Sequence, residues 1–496
     1  KDVIDCNDTL SGCCGNFDSR LLYETLSVNM VHSLDNFNLM SATIQVAAGI
    51  LINLSIINSG ITLGFPSVAV PVLLGSGSGL HTSISEAAWV GSLQFASAPV
   101  SGLLAGPVID RIGRRWGLLL VNAMFAAGWL LMAVFPLSLM VLYVGRLLTG
   151  LGMGMSISTA ITYTTEIASV SLRTILVNFT PMTMALGTIL AYLGAMIFQE
   201  SWTEVSYFGF AIAVVSLVLT PLLPESPLWL LGRDRAEEAL QALMRLRGAS
   251  APEEVRVELD SFSSRAMNTQ QTGSWFSSLH NLRQPQAYKP LIMINIYFLF
   301  VLGCGVPLVI AYAVSFTQSA GLVGQAYQIS LAMAAMRMVA TLLTGWACNR
   351  YGKRGPALLS SAVTVVSLGV LALTVSSYLT LPSWLVGALV LVYVLSSSVG
   401  FSSLPWSMLG EIFPTNVRGI CSGLTTTLAF LGSLLMTKLY PEVSRSLGAF
   451  PVFSFFAVSA LGGTVFLYYF LPETHGKTLL EIEEYFKGSR ATAVPK

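Results

Sequence analysis

Charged residues are scarce in this chain, and they recur in short strings. Asp110-Arg-Ile-Gly-Arg-Arg115 has a counterpart in Asn349-Arg-Tyr-Gly-Lys-Arg354. Further charges stand in Gly145-Arg146, in Glu166 with Arg173 seven residues on, and in Pro224-Glu225-Ser-Pro. The rest of the pattern is Gly410-Glu411-Ile-Phe-Pro414 followed by Arg418, and Pro472-Glu473-Thr. Carboxylates and guanidiniums so placed have the chemistry of ion pairs that form and break. One more cation, Arg337, stands alone in the apolar stretch from Ile329 to Ala347, and its fork of donors suits a carboxylate or a similar planar anion. Two readings of Arg337 compete: contact with an anionic or strongly polar ligand, or a structural bond to a helix carbonyl or a hidden carboxylate.

Other chemistries lack their residues. His32, His81, His280 and His475 fall in tails or loops, and the six cysteines show no zinc-like or redox pairing. No Ser-His-Asp, Cys-His or metal-ligand grouping lies in or near the apolar runs, so we expect no enzyme, no metal and no cofactor.

The elements that must carry these charges are set by composition. Of 496 residues, 54% are hydrophobic and 10% charged, against roughly 25% charged in soluble proteins; the solvent for most side chains is lipid. A near-neutral formal charge of +1 argues against a nucleic-acid partner. A bilayer core about 30 Å thick needs about 20 apolar helical residues. Such segments recur twelve times, near 42–65, 87–107, 116–135, 138–160, 174–198, 206–223, 290–316, 326–347, 356–376, 384–409, 418–438 and 448–471. The expected organisation is an all-α membrane protein: an N-terminal tail (1–41), a six-helix half (42–223), a polar helical linker (224–289), a second six-helix half (290–471) and a C-terminal tail (472–496). With both ends cytoplasmic, nearly all Lys and Arg fall on the inside; only Lys438 and Arg445 lie outside, with Arg146 and Arg337 within helices.

The charged strings, with Pro224-Glu-Ser-Pro-x-Trp-Leu230 and Pro472-Glu-Thr-x-Gly-Lys-Thr-Leu479, resemble the sugar porter family of the major facilitator superfamily over nearly all of residues 40–486, and most of all the insect-type facilitated trehalose transporters. The resemblance implies two six-helix halves around a midplane cavity, alternating access, a small-molecule substrate, the cell membrane and a monomer. It also implies that charges at the cytoplasmic helix ends pair across the halves to hold an inner gate: Arg114, Arg146, Glu166 and Arg173 in the first half, and Glu225, Arg350, Arg354, Glu411, Arg418 and Glu473 with the second. Glycines and prolines within the spans, among them Gly60, Gly64, Gly150, Gly154, Gly187, Gly303, Gly305 and Pro405, let helices approach closely or bend.

The chain departs from the family where sugar hydroxyls are bound. Pro181, Val301, Leu302, Pro307, Ala429 and Phe430 stand where the family places amides or an Asn-Trp pair. Ser402 and Ser403 replace a Gly-Pro, and Arg337 takes the place of an Asn. Trp406 is kept and is expected to stack on a ligand face. Asn58 is a candidate cavity donor, with interhelix hydrogen bonding as its other reading. The expected substrate residues are thus Trp406, Arg337, Asn58, Ser402 and Ser403. The first apolar segment holds no acid and has Pro66 where proton-driven relatives have one, so facilitated diffusion is expected. The rivals to sugar transport are a carrier of an organic anion or apolar metabolite through Arg337, and a nutrient sensor that moves nothing.

Overall fold

A computed structural model describes residues 19–75, 80, 82–198, 201–270, 282–414, 417–474 and 479–487. The outermost tail residues, together with His81, His280 and His475, lie outside them.

In lipid every backbone N–H and C=O must find its partner within the chain, and the long Leu-, Ala-, Val- and Gly-rich runs answer with helices. Among the described residues, twelve are long and apolar enough to cross a membrane. Six precede the polar segment: α1 (Ser19–Gly64) continued by α2 (Pro66–Leu74), α3 (Ile84–Ile112), α4 (Arg114–Val134), α5 (Leu139–Ile167), α6 (Val170–Ile197) and α7 (Trp202–Leu219). The polar segment carries α8 (Pro227–Leu231), α9 (Ala236–Arg247) and α10 (Arg256–Gln270). Six more spans follow. The seventh is α11 (Pro285–Gly303), α12 (Val306–Ala311) and α13 (Ala313–Ser319); the eighth and ninth are α14 (Ala326–Tyr351) and α15 (Arg354–Val375). The tenth joins α16 (Ser383–Ser396) to α17 (Leu404–Met408). It is followed by α18 (Arg418–Leu447), α19 (Ala449–Phe470) and a short terminal α20 (Leu479–Lys487).

Three spans are interrupted, each for a legible reason. Pro66 opens α2 without an N–H to give back to the preceding turn. In the seventh span Gly305 adopts φ +83°, a conformation open to glycine, and Tyr312 (φ −128°, ψ 36°) breaks the helix again. The tenth widens into a π turn at Ser397–Phe401.

Small residues set the tightest crossings. A Cβ on Gly60 would land on the Met184 carbonyl and one on Gly187 on the Ile57 carbonyl, which fixes α1 against α6. Gly150 and Gly154 do the same for α5 against Gln94 and Ala98 of α3. The halves meet along two pairs of helices, α3 with α18 and α6 with α14. Leu137, Met140, Val218, Leu359, Val366 and Val458 are exposed on the outside, an apolar surface that suits lipid. We call the side bearing α8–α10 the linker face and the opposite side the far face.

Candidate functional site

Two charge clusters occupy equivalent places on the linker face. Between α3 and α4, Gly113 turns with φ +101°, and the N–H groups of Arg114 and Arg115 donate to Glu225 at 2.8 and 3.1 Å. A carboxylate at a helix start meets the positive end of its dipole. Arg114 grips Glu166 with two bonds of 2.8 and 2.7 Å and donates to Asp110 at 2.9 Å. Both partners of the Arg114–Glu166 pair are about nine-tenths buried, where a two-pronged, charge-assisted pair is strongest. The linker is fastened to this cluster: Trp229 and Arg233 each donate to the Asp110 carbonyl at 2.8 Å.

The second half repeats the design between α14 and α15. Gly352 has φ +74°, and the N–H groups of Lys353 and Arg354 donate to Glu473 at 3.0 Å each. Lys353 pairs with Glu411, and Arg354 donates to the Tyr468 carbonyl at 2.6 Å. At both turns glycine is required twice over, because φ is positive and because a Cβ would strike the capping carboxylate, Glu225 or Glu473.

The expected pairing across the halves is replaced by pairing within each half. Among the described residues, the hydrogen bonds that join the halves lie at the far face. There the second break in the seventh span frees backbone groups, and the first half satisfies them. Ser67 donates to the Ala311 carbonyl at 3.0 Å and accepts from the Ala313 N–H at 2.9 Å, while the Tyr192 hydroxyl donates to the Ile310 carbonyl at 2.5 Å. Lys438 reaches Ser85 at 2.6 and 2.7 Å and lies 4.8 Å from the centre of the Trp89 ring. The Tyr312 hydroxyl, donating to Thr437 at 3.1 Å, occupies the space that a side chain at Gly91 would need. The far face is therefore sealed and the linker face untied.

Just beneath the seal is a cavity of about 10 Å³, room for roughly one water molecule, lined by Tyr192, Val309, Met333, Arg337, Tyr393 and Ser397 among others. Arg337 is half-buried, and among the described residues its guanidinium has neither a hydrogen-bond acceptor nor an ion-pair partner. The two tyrosine hydroxyls beside it donate elsewhere, Tyr192 to Ile310 and Tyr393 to the Cys304 carbonyl at 2.8 Å. Trp406 lies near the linker-face end of the tenth span, 44% exposed, edge-on to Phe298 at 4.8 Å and beside Phe430 at 6.0 Å. Phe430 in turn stacks on Phe95 of the first half at 6.4 Å. An aromatic row thus crosses between the halves.

A family model described as "Sugar (and other) transporter" matches residues 40–486. The chain belongs to the sugar transporter family. Similar proteins include the facilitated trehalose transporter Tret1 of Bombyx mori, 30% identical over 90% of this chain and 88% of that one. Tret1 of Polypedilum vanderplanki is 27% identical over 90% and 89%. Among solved structures, the inward open conformation of the E. coli xylose transporter XylE superposes with a TM-score of 0.74 at 18% identity, covering 89% of this chain and 99% of that one. The proton:xylose symporter XylE bound to 6-bromo-6-deoxy-D-glucose gives 0.71 at 19% identity over 90% and 100%. These structural likenesses show the fold, and the family match makes the chain a multi-pass membrane transporter.

Within this sugar transporter the expected site residues divide. Arg114, Glu166 and Glu225 come together in one linker-face cluster, and Arg354, Glu411 and Glu473 in the other. Arg173 is half-buried with its Nε unpartnered, Arg350 is exposed and joins no ion pair among the described residues, and Arg418 donates to the Phe413 carbonyl at 3.3 Å, folding the turn before α18. Arg146 departs from expectation. It lies in the far-face part of α5, fully buried, with Nε donating to Val90 at 2.9 Å, the terminal nitrogens to Thr62 at 3.2 Å and one also to Gln94; Phe65 covers it at 5.1 Å.

Two expected substrate side chains, Asn58 and Ser403, are likewise used for packing or folding, and Ser402 joins the turn through its backbone N–H. Asn58 is fully buried and accepts from Trp129 at 3.1 Å, so it faces α4 rather than the space between the halves. The Ser403 hydroxyl donates to the Ser398 carbonyl and the Ser402 N–H to the Ser397 carbonyl at 2.9 Å, both closing the π turn. Trp406 does not line the Arg337 cavity, so the two expected contacts do not share one pocket. Sequence reading missed Lys353, although it stands inside a string already singled out, and it missed Ser67, Tyr192 and Tyr393. For the last three the only signal was a polar or aromatic residue beside a proline- or glycine-broken span.

Proposed function

We propose that this chain is a facilitative carrier of a small sugar that works by alternating access in the cell membrane, as a monomer, with the linker face and both termini cytoplasmic. The orientation follows from the basic residues, which gather on the linker face while few stand at the other. One observation carries the reading: a family match over residues 40–486 on a chain whose halves are hydrogen-bonded to each other at the far face and untied at the linker face. That is the geometry of a carrier open toward the cytoplasm. Reversal would part Ser67 and Tyr192 from the seventh span and bring the two charge clusters together. The first span, Leu39–Leu74, holds no acid to relay a proton, which supports downhill flux.

Trehalose, named for the insect relatives, and hexoses are the substrates to test first. The purified chain in proteoliposomes should equilibrate labelled trehalose or glucose at a rate indifferent to an imposed proton gradient. Protein-dependent flux that is absent for every sugar tried would overturn the reading.

A further inference from the structure

We propose that Arg337 with Tyr192, Tyr393 and Ser397 forms a binding site for a carboxylate, so that the transported solute is an acidic sugar or travels with a small organic acid. The proposal rests on the transport reading above and narrows its substrate class. Three observations carry it. The Arg337 guanidinium lies midway along an apolar span and has no protein acceptor among the described residues, although an unpaired cation at that depth is unfavourable and is retained where a ligand or water meets it. It borders a cavity instead of packing solidly, and that cavity lies between the halves, where Tyr192 of α6 faces residues of the seventh, eighth and tenth spans. Finally, the neighbouring Tyr192 and Tyr393 hydroxyls donate to the Ile310 and Cys304 carbonyls, which leaves the Arg337 guanidinium as the strong donor at the cavity, the kind of group an acceptor-only carboxylate requires.

The cavity's place explains how such a site would be used. In this state it has room for about one water, because the Tyr192–Ile310 bond closes over it. When the far face opens, Tyr192 withdraws with the first half and the guanidinium fork is presented to the outside, where a planar carboxylate can take two parallel bonds. Closure of that face shrinks the cavity and expels the anion toward the linker face. Affinity then differs between the two halves of the cycle, and in downhill transport the conformational equilibrium of the empty carrier offsets the difference.

The test uses the full chain in nanodiscs, with binding of gluconate, glucuronate, lactate, glucose and trehalose followed by calorimetry, and uptake of the same compounds in proteoliposomes. Wild-type protein should bind at least one carboxylate ten-fold or more tightly than glucose. R337Q should bring that ratio close to one, and R337K should keep part of it. Binding confined to gluconate and glucuronate places the acid group on the sugar; equal binding of lactate makes it a separate anion, and either supports the site. No carboxylate preference in wild-type protein, which requires no variant to fold, overturns the proposal, as does a preference that survives in R337Q. Neutral sugar flux without carboxylate binding sinks the site and spares the sugar reading; carboxylate binding with no flux of any sugar does the reverse.

Discussion

Two arginines lie inside the membrane spans, one in each half, and their surroundings are opposite. Arg146 is fully buried, yet neutral acceptors from Val90, Thr62 and Gln94 surround it and the Phe65 ring covers it. Arg337 is half-buried, and among the described residues its fork meets no acceptor. An intramembrane arginine announces a site only when its donors are left over. Arg146 pins the first, second and fourth spans together at their far-face parts, whereas Arg337 has donors to spare for something that enters.

The contrast can be broken from either side. Arg146→Ala should have the largest effect. Removing it takes a donor from the Thr62 and Val90 carbonyls and the Gln94 amide oxygen, and each hydrogen bond to a charged group is worth about 1.5–3 kcal/mol. The expected outcome is little monodisperse protein in detergent, and Arg146→Lys should not restore it, since an ammonium lacks the fork. A well-folded Arg146→Ala protein would erase the distinction.

Arg337→Gln should move stability the other way. Arginine at mid-span is disfavoured by about 2.5–3.5 kcal/mol on insertion scales, so the variant should melt at or above the wild-type temperature while carboxylate binding falls ten-fold. A large drop in melting temperature would place Arg337 with Arg146 as a structural residue.

Gln94→Leu should cost about 1.5–3 kcal/mol, the worth of a hydrogen bond to a charged group, read as a lower melting temperature with the substrate profile unchanged. The smallest effect belongs to Tyr192→Phe. Loss of its bond to Ile310 removes about 0.5–1.5 kcal/mol from far-face closure, visible as faster labelling of a cysteine placed at the far face.

Much of the fold was legible in the sequence, because lipid leaves a span few options other than helix. All twelve expected spans lie where the structure has them. The first span runs on to Leu74 through an apolar stretch beyond Pro66, and the eleventh to Leu447 through polar residues that hydropathy discounts. The breaks were only half legible: Gly303, Gly305 and Pro307 marked the first interruption of the seventh span, but nothing marked Tyr312, whose departure from helix is met by Ser67, 246 positions from Ala313. Charged strings gave the clusters, because their glycines and carboxylates act locally. They misplaced Arg146, since a charge in a string says nothing of depth, and a helix that enters from the far face at Leu139 reaches Arg146 well before the linker side. Asn58 was undecidable from spacing alone; its neighbour Trp129 lies 71 positions away and settles it.

The far-face seal has a further consequence. Its members are peptide carbonyls and an amide N–H held by a serine, a tyrosine and a lysine, with no histidine or carboxylate among them. Water offers peptide groups nearly as good a partner as Ser67 or Tyr192 does. The far-face door is therefore a lock that solvent itself can pick, with no proton as its key, and turnover should stay level between pH 5 and 8 in chambers held at equal acidity.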